Sequence, residues 1–147
     1  MTEKMMDIRK IARVQLFIIP IFILLKFIRP AILESESPEF FKIVLLSIPN
    51  FFEAVVGTLN LTGVGLIIND KLNIKHQLRP KIIYIIAVIL AGLYVSTQEL
   101  KIHNLGGNNV FDRNDLIFSF IGLIIGYSII IWLKPIIKKT ENKTQTE

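Results

Sequence analysis

Residues 94–126 read Y-V-S-T-Q-E-L-K-I-H-N-L-G-G-N-N-V-F-D-R-N-D-L-I-F-S-F-I-G-L-I-I-G. An apolar run closes on Gln98 and Glu99. A Gly/Asn turn follows at Gly106, Gly107, Asn108 and Asn109, and Asp112, Arg113 and Asp115 open a second apolar run. Asp115, Ser119, Gly122 and Gly126 are spaced by four, three and four residues, which is the spacing of one helical face. This is the pattern of two membrane helices joined by a polar corner. The rest of the chain supplies further helices around it.

Composition agrees. Of 147 residues, 52% are hydrophobic, and the mean hydropathy of +0.55 is too high for an ordinary soluble domain of one-domain length. The apolar residues fall in long blocks, and four blocks come near the ~20 residues that cross a bilayer. There is no cysteine, so thiol and disulfide chemistry are excluded. The net charge of +5 would point to nucleic acid in a soluble chain. Here the positives flank apolar blocks, so their placement matters more than their sum and no nucleic-acid partner is expected. The expected fold is an all-α integral membrane bundle of four transmembrane helices in one domain, 1–147.

The first span is predicted over about residues 11–32. Lys4, Arg9, Lys10 and Arg13 precede its apolar run from Val14 to Leu25, as in a signal peptide. Lys26 and Arg29 follow the apolar core, and the one small-x-small candidate, Ser35-Glu36-Ser37, precedes Pro38, so the span is read as uncleaved. Lys26 lies ~22 Å from Ile11 along a helix, near enough to the far boundary for its head to snorkel. An acidic loop, E-S-E-S-P-E over 34–39, comes next. Residues 40–48 are too short to span and are read as a short interfacial helix, because Pro49-Asn50 follows. One long, Pro-kinked span from Phe40 to Ile68 is the alternative. The remaining spans are predicted at about 50–68, 82–98 and 115–133, with Trp132 as an interface aromatic and a polar tail over 136–147.

Twelve of the 17 Lys and Arg residues fall in residues 1–13, in the loop 69–81, or from Lys134 onward. The positive-inside rule therefore puts both termini in the cytoplasm and the 94–126 corner on the outer face. Three spans carry small or polar stripes: Glu53, Gly57 and Asn60; Ala87, Ala91, Tyr94 and Gln98; Asp115, Ser119, Gly122 and Gly126. Small residues let helix backbones approach in lipid, so a packing role accounts for the glycines and alanines. Charged residues within spans usually face a bundle interior or a wet cavity. Glu53 is placed about one turn inside its span, level with Glu99, Asp115, Lys26 and Arg29. The expected binding site is thus an outer polar pocket of Glu53, Gln98, Glu99, Asp112, Arg113, Asp115 and Ser119. Each residue also has a local alternative: Asp112 or Asp115 can cap a helix, Glu99 can be solvated, and Glu53 can pair with a snorkelling cation. His76 and His103 fall on opposite sides and cannot share a metal. The Gly106–Asn109 turn lacks the strand and lysine of a phosphate loop. No metal and no cofactor are expected.

Residues 94–134 resemble the C-terminal half of VanZ-like membrane proteins. That family has a glutamate and a glutamine three residues apart at the end of one span, a polar loop, then an aspartate, an asparagine four residues on, and glycines. Gln98, the Phe111–Asp115 loop end, Gly122 and Gly126 fit the pattern, whereas Val95 replaces the glutamate and Ser119 the asparagine. The Pro49-Asn50-Phe51 start of the second span also looks like small bacterial relatives. The resemblance implies a multi-pass protein of the bacterial cytoplasmic membrane, in a family whose named member is linked to teicoplanin resistance. It makes Gln98, Asp115 and Ser119 polar-pocket residues.

Three functions are compatible with this reading. The first is a non-enzymatic envelope protein, in contact with membrane lipids, that binds an amphiphile or envelope precursor at its outer face. The second is a membrane enzyme acting on a lipid-linked substrate through Glu53, Glu99 or Asp115. The third is a small transporter subunit, disfavoured because the inner halves of the spans hold little polarity beyond Asn60 and Thr62. The topology is testable. In intact cells, a cysteine at Gly107 is expected to react with an impermeant thiol reagent and one at Asn73 is not; the reverse labelling pattern means an inverted chain.

Overall fold

The computed structural model describes residues 6–7, 9–99 and 113–136. The Gly106–Asn109 turn, Asp112, His103 and the tail from 137 lie outside the described residues, as does the Glu99 side chain. The fold is all-α: α1 (Arg9–Glu34), α2 (Glu39–Lys71), α3 (Pro80–Glu99) and α4 (Arg113–Leu133). By length and composition all four can cross a membrane. Two short strands, β1 (Met6–Asp7) and β2 (Pro135–Ile136), pair in parallel, so the segments flanking α1 and α4 lie side by side at one end of the bundle.

The second helix corrects one expectation. Residues 40–48 are not a separate interfacial helix; they are the first turns of α2, which runs unbroken through Pro49. Proline removes one backbone donor and normally costs ~3 kcal/mol inside a helix. Here Ser47 and Pro49 are both buried, so packing of this stretch outweighs that loss. The helix begins where Pro38 ends the acidic loop: the Phe41 and Lys42 amides donate to the Pro38 carbonyl at 2.9 and 3.1 Å.

The long α2 is the axis of the bundle. It packs on α1, α3 and α4, most extensively on α4, while α1 and α3 make no substantial contact with each other. Gly122 and Gly126 of α4 lie against α2. A Cβ on Gly122 would collide with the Phe51 carbonyl oxygen and stand 2.9 Å from the Ala54 Cβ; one on Gly126 would stand 3.1 Å from the Thr58 Cβ. The two helices are therefore parallel and in near backbone contact. Their seam on α2 runs through Phe51, Ala54 and Thr58, and not through the Glu53-Gly57-Asn60 stripe. Thr58 and Thr62 satisfy their own hydroxyls, Thr58 Oγ1 donating to the Ala54 carbonyl at 2.8 Å and Thr62 Oγ1 to the Thr58 carbonyl at 2.9 Å. Toward the strand-paired end, Val55, Leu59, Leu66, Ile83, Tyr84, Ile130 and Leu133 form the main apolar cluster. Tyr84 closes it by donating to the Pro135 carbonyl at 2.7 Å. Ala54, Ala91, Val95 and Leu123 form a second cluster.

The first helix is attached differently. Only Ile11 and Ile32, near its two ends, are buried, and residues such as Phe17 and Phe27 point outward. Ile11 joins the main apolar cluster, with Val14 and Ile18 packed against it, and two polar contacts to α2 add to this: Gln15 Nε2 donates to Asn60 Oδ1 at 2.8 Å, and Lys26 Nζ sits 3.5 Å from Glu53 Oε2. Overpacking a well-filled contact costs about 1–3 kcal/mol. Gly122→Ala is therefore expected to destabilise the detergent-solubilised protein by that amount in a thermal melt. Gly57→Ala, whose new methyl meets nothing within 4 Å, is expected to leave the melt unchanged.

Candidate functional site

The Glu53-Gly57-Asn60 stripe faces a groove instead of a helix. The groove has a volume of about 380 Å³ and is half open; Glu53, Gly57, Asn60 and Leu61 of α2 and Leu90, Ala91, Tyr94 and Val95 of α3 line it. The missing side chain of Gly57 makes the space: nothing occupies the place of its Cβ within 4 Å. Two α1 side chains reach the same face of α2, Lys26 at Glu53 and Gln15 at Asn60. The groove thus lies along α2, walled by α3 and edged by the polar clips to α1. Its walls are apolar. Its polar groups are Glu53, Asn60 and Tyr94, whose hydroxyl accepts a hydrogen bond from Gln98 Nε2 at 2.8 Å.

Glu53 is 26% exposed and Lys26 53%. The Lys26 ammonium also lies 4.6 Å from the centre of the Phe22 ring, a cation–π contact within the same helix. Because α2 starts at Glu39, Glu53 lies about four turns from the start of its helix, and it stands level with Lys26 as expected. A carboxylate within a span is costly unless paired, and the Lys26 ammonium supplies the pair. Of the local alternatives, pairing with a snorkelling cation is the arrangement found for Glu53.

The other expected site residues occupy different places. Arg113 and Asp115 are in the first turn of α4. Since Gly122 meets α2 at Phe51 and Ala54, Asp115 lies about two turns, ~10 Å, further toward that end than Glu53. Ser119 is 1% exposed, and its Oγ has no hydrogen-bond partner among the described residues. The crevice beside it, bordered by Val95, Ser96, Leu116, Phe120 and Leu123, is too narrow to admit water. The structure therefore brings Glu53 together with Lys26, Tyr94 and Asn60 around one groove, with Gln98 at its edge through Tyr94. It places Ser119 in the packed interior and Arg113 and Asp115 at the helix start.

Gln15 escaped the sequence-based site; Lys26 was expected level with Glu53 as a snorkelling cation, and Tyr94 only as part of the α3 stripe. Lys26 was legible, because it falls at the depth of Glu53 on a neighbouring span. Gln15 carried no signal beyond being polar inside an apolar block. Val95, where the VanZ-like pattern has glutamate, borders the groove and packs with Ala54, Ala91 and Leu123. That position has no carboxylate to offer. Compared with protein-family models, curated proteins and solved structures, the chain matches none.

The ion pair can be tested by charge exchange. Lys26→Glu alone sets two carboxylates together and is expected to lower the melting temperature. Lys26→Glu with Glu53→Lys is expected to restore it, with a coupling of about 1 kcal/mol, the upper range for pairs in contact with solvent. Additive effects in that double-mutant cycle mean that the pair does not hold α1.

Proposed function

We propose that this chain is a small multi-pass protein of the bacterial cytoplasmic membrane that binds an amphiphile, such as a lipid-like envelope precursor, in the α2–α3 groove without transforming it. The groove itself carries the reading. Its volume of about 380 Å³ lies within the range of small-molecule sites, ~300–1,000 Å³, which combine apolar walls with a few placed polar groups. An apolar chain is accommodated over Gly57 between Leu61, Leu90 and Ala91. A polar end is accommodated at Glu53 and Lys26, or at Tyr94 and Gln98. Glu53 is engaged by the Lys26 ammonium, which favours electrostatic holding over proton transfer.

The setting rests on other observations. The cation asymmetry along the chain supports cytoplasmic termini, and then the Glu53 end of the groove faces the outer leaflet. The likeness of residues 94–134 to VanZ-like proteins supports a bacterial envelope. The half-open groove supports lateral entry from lipid, with no aqueous path required.

Filling the groove tests the proposal. The purified protein is irradiated with a photoactivatable fatty-acyl amphiphile and the adduct is mapped by mass spectrometry. Wild type and Gly57→Ala are expected to label on α2 and α3. Gly57→Phe, which places a ring in the open floor, is expected to lose at least about nine-tenths of the labelling, since a blocked site costs more than 1.4 kcal/mol of binding. Equal labelling of Gly57→Phe and wild type sinks the reading.

A further inference from the structure

The loop between α2 and α3 is short and unusually well fastened. The Asn69 side chain clamps it from both sides: its Nδ2 donates to the Leu78 carbonyl at 3.1 Å, and its Oδ1 accepts from the Leu78 amide at 2.7 Å. The Gln77 Nε2 donates to the Leu72 carbonyl at 3.0 Å. A single 3₁₀ turn, Ile74–His76, sits at the tip, closed by the His76 amide on the Asn73 carbonyl at 2.8 Å. This scaffold holds both apolar and cationic side chains outward. Ile74 is 77% exposed, with Leu72 and Leu78 exposed beside it. Interleaved with them, Lys71, Lys75, Arg79 and Lys81 are exposed and form no ion pair among the described residues. Asp70 is the single acidic residue of the segment.

The position along the bundle decides what this surface meets. Lys71 ends α2 and Pro80 starts α3, so the loop stands just beyond the apolar lengths of both spans. Trp132, 75% exposed at the same end of α4, marks the boundary where aromatic side chains settle. At that depth an isoleucine tip enters the acyl edge while the cations stay among phosphates. An acidic protein would account for the cations and leave Leu72, Ile74 and Leu78 unexplained.

We propose that the clamped α2–α3 loop is a binding site for the headgroups of anionic phospholipids. The lipid phosphates lie between Lys71, Lys75 and Arg79, and Ile74 is buried among the acyl chains. The site is at the end of the bundle opposite the Glu53 pocket end and does not depend on what the groove holds.

The test uses the full chain reconstituted in phosphatidylcholine vesicles that contain spin-labelled phosphatidylglycerol or spin-labelled phosphatidylcholine, and reads the fraction of label immobilised by the protein. Wild type is expected to select phosphatidylglycerol. A cation close to an anionic surface contributes about fivefold in association, so Lys71→Gln, Lys75→Gln and Arg79→Gln together are expected to reduce the selection by at least that factor. The substitutions spare Asn69 and Gln77, and an unchanged elution profile in detergent confirms the fold. A control neutralises Lys138, Lys139 and Lys143, with the same change in net charge, and is expected to keep the selection. Equal loss in both variants assigns the preference to net charge and overturns the site. No loss in the loop variant also overturns it, and leaves an acidic protein as the occupant.

Discussion

The bundle depends on the absence of a side chain at Gly122. Lipid gives helices no hydrophobic reason to associate, so their backbones must come close enough for dispersion and polar contacts to act. At Gly122 the α4 backbone rests on the Phe51 carbonyl, and one turn later Gly126 rests on Thr58. That pair of contacts sets the parallel register of α2 and α4. It also brings Leu123 to Ala54, Ala91 and Val95, which is how α3 joins the pair. The first helix enters last in this hierarchy, held by Lys26 and Gln15 and by isoleucines near its ends.

One helix thereby serves two neighbours with two narrow stripes. Ala54 and Thr58 face α4; Glu53 and Gly57, one position earlier and about 100° around the axis, face the groove. The division follows from how each stripe handles its polarity. The threonines return their hydroxyls to their own helix and can be packed against glycine. Glu53 and Asn60 cannot do so, and each takes a partner from α1. The groove is what remains when a stripe is too polar to be packed shut and too well paired to be expelled.

The spans were legible because hydrophobic length is a property of contiguous sequence, and all their ends but one lie within a few residues of the expected place. The start of α2 was not. Pro49 reads locally as a boundary, and the burial of Ser47 and Pro49 that carries the helix through it depends on distant residues. The α4 stripe was found, since glycines four residues apart are visible at a glance. Its partner was missed. Periodicity tells which residues share a face and does not tell which neighbour the face meets, and Thr62 reads as polar although its hydroxyl is internally satisfied. Ser119 shows the limit from the other side: a polar residue on the right face lies in a crevice with no room for water.

The threonine bonds within α2 also bear on the order of synthesis. The α2 seam is made and inserted well before its partner exists, because α3 and the α3–α4 connection intervene. At ~5–20 residues per second, Gly126 leaves the ribosome several seconds after Thr58. During that interval the α2 face that will meet α4 is exposed to lipid or to the insertion machinery. A side chain that needed an interhelical partner would spend the wait unsatisfied in hydrocarbon. Thr58 and Thr62 do not, since their donors are occupied as soon as the helix forms. The helix can thus be stored in the bilayer as a finished half-interface until the glycines of α4 arrive.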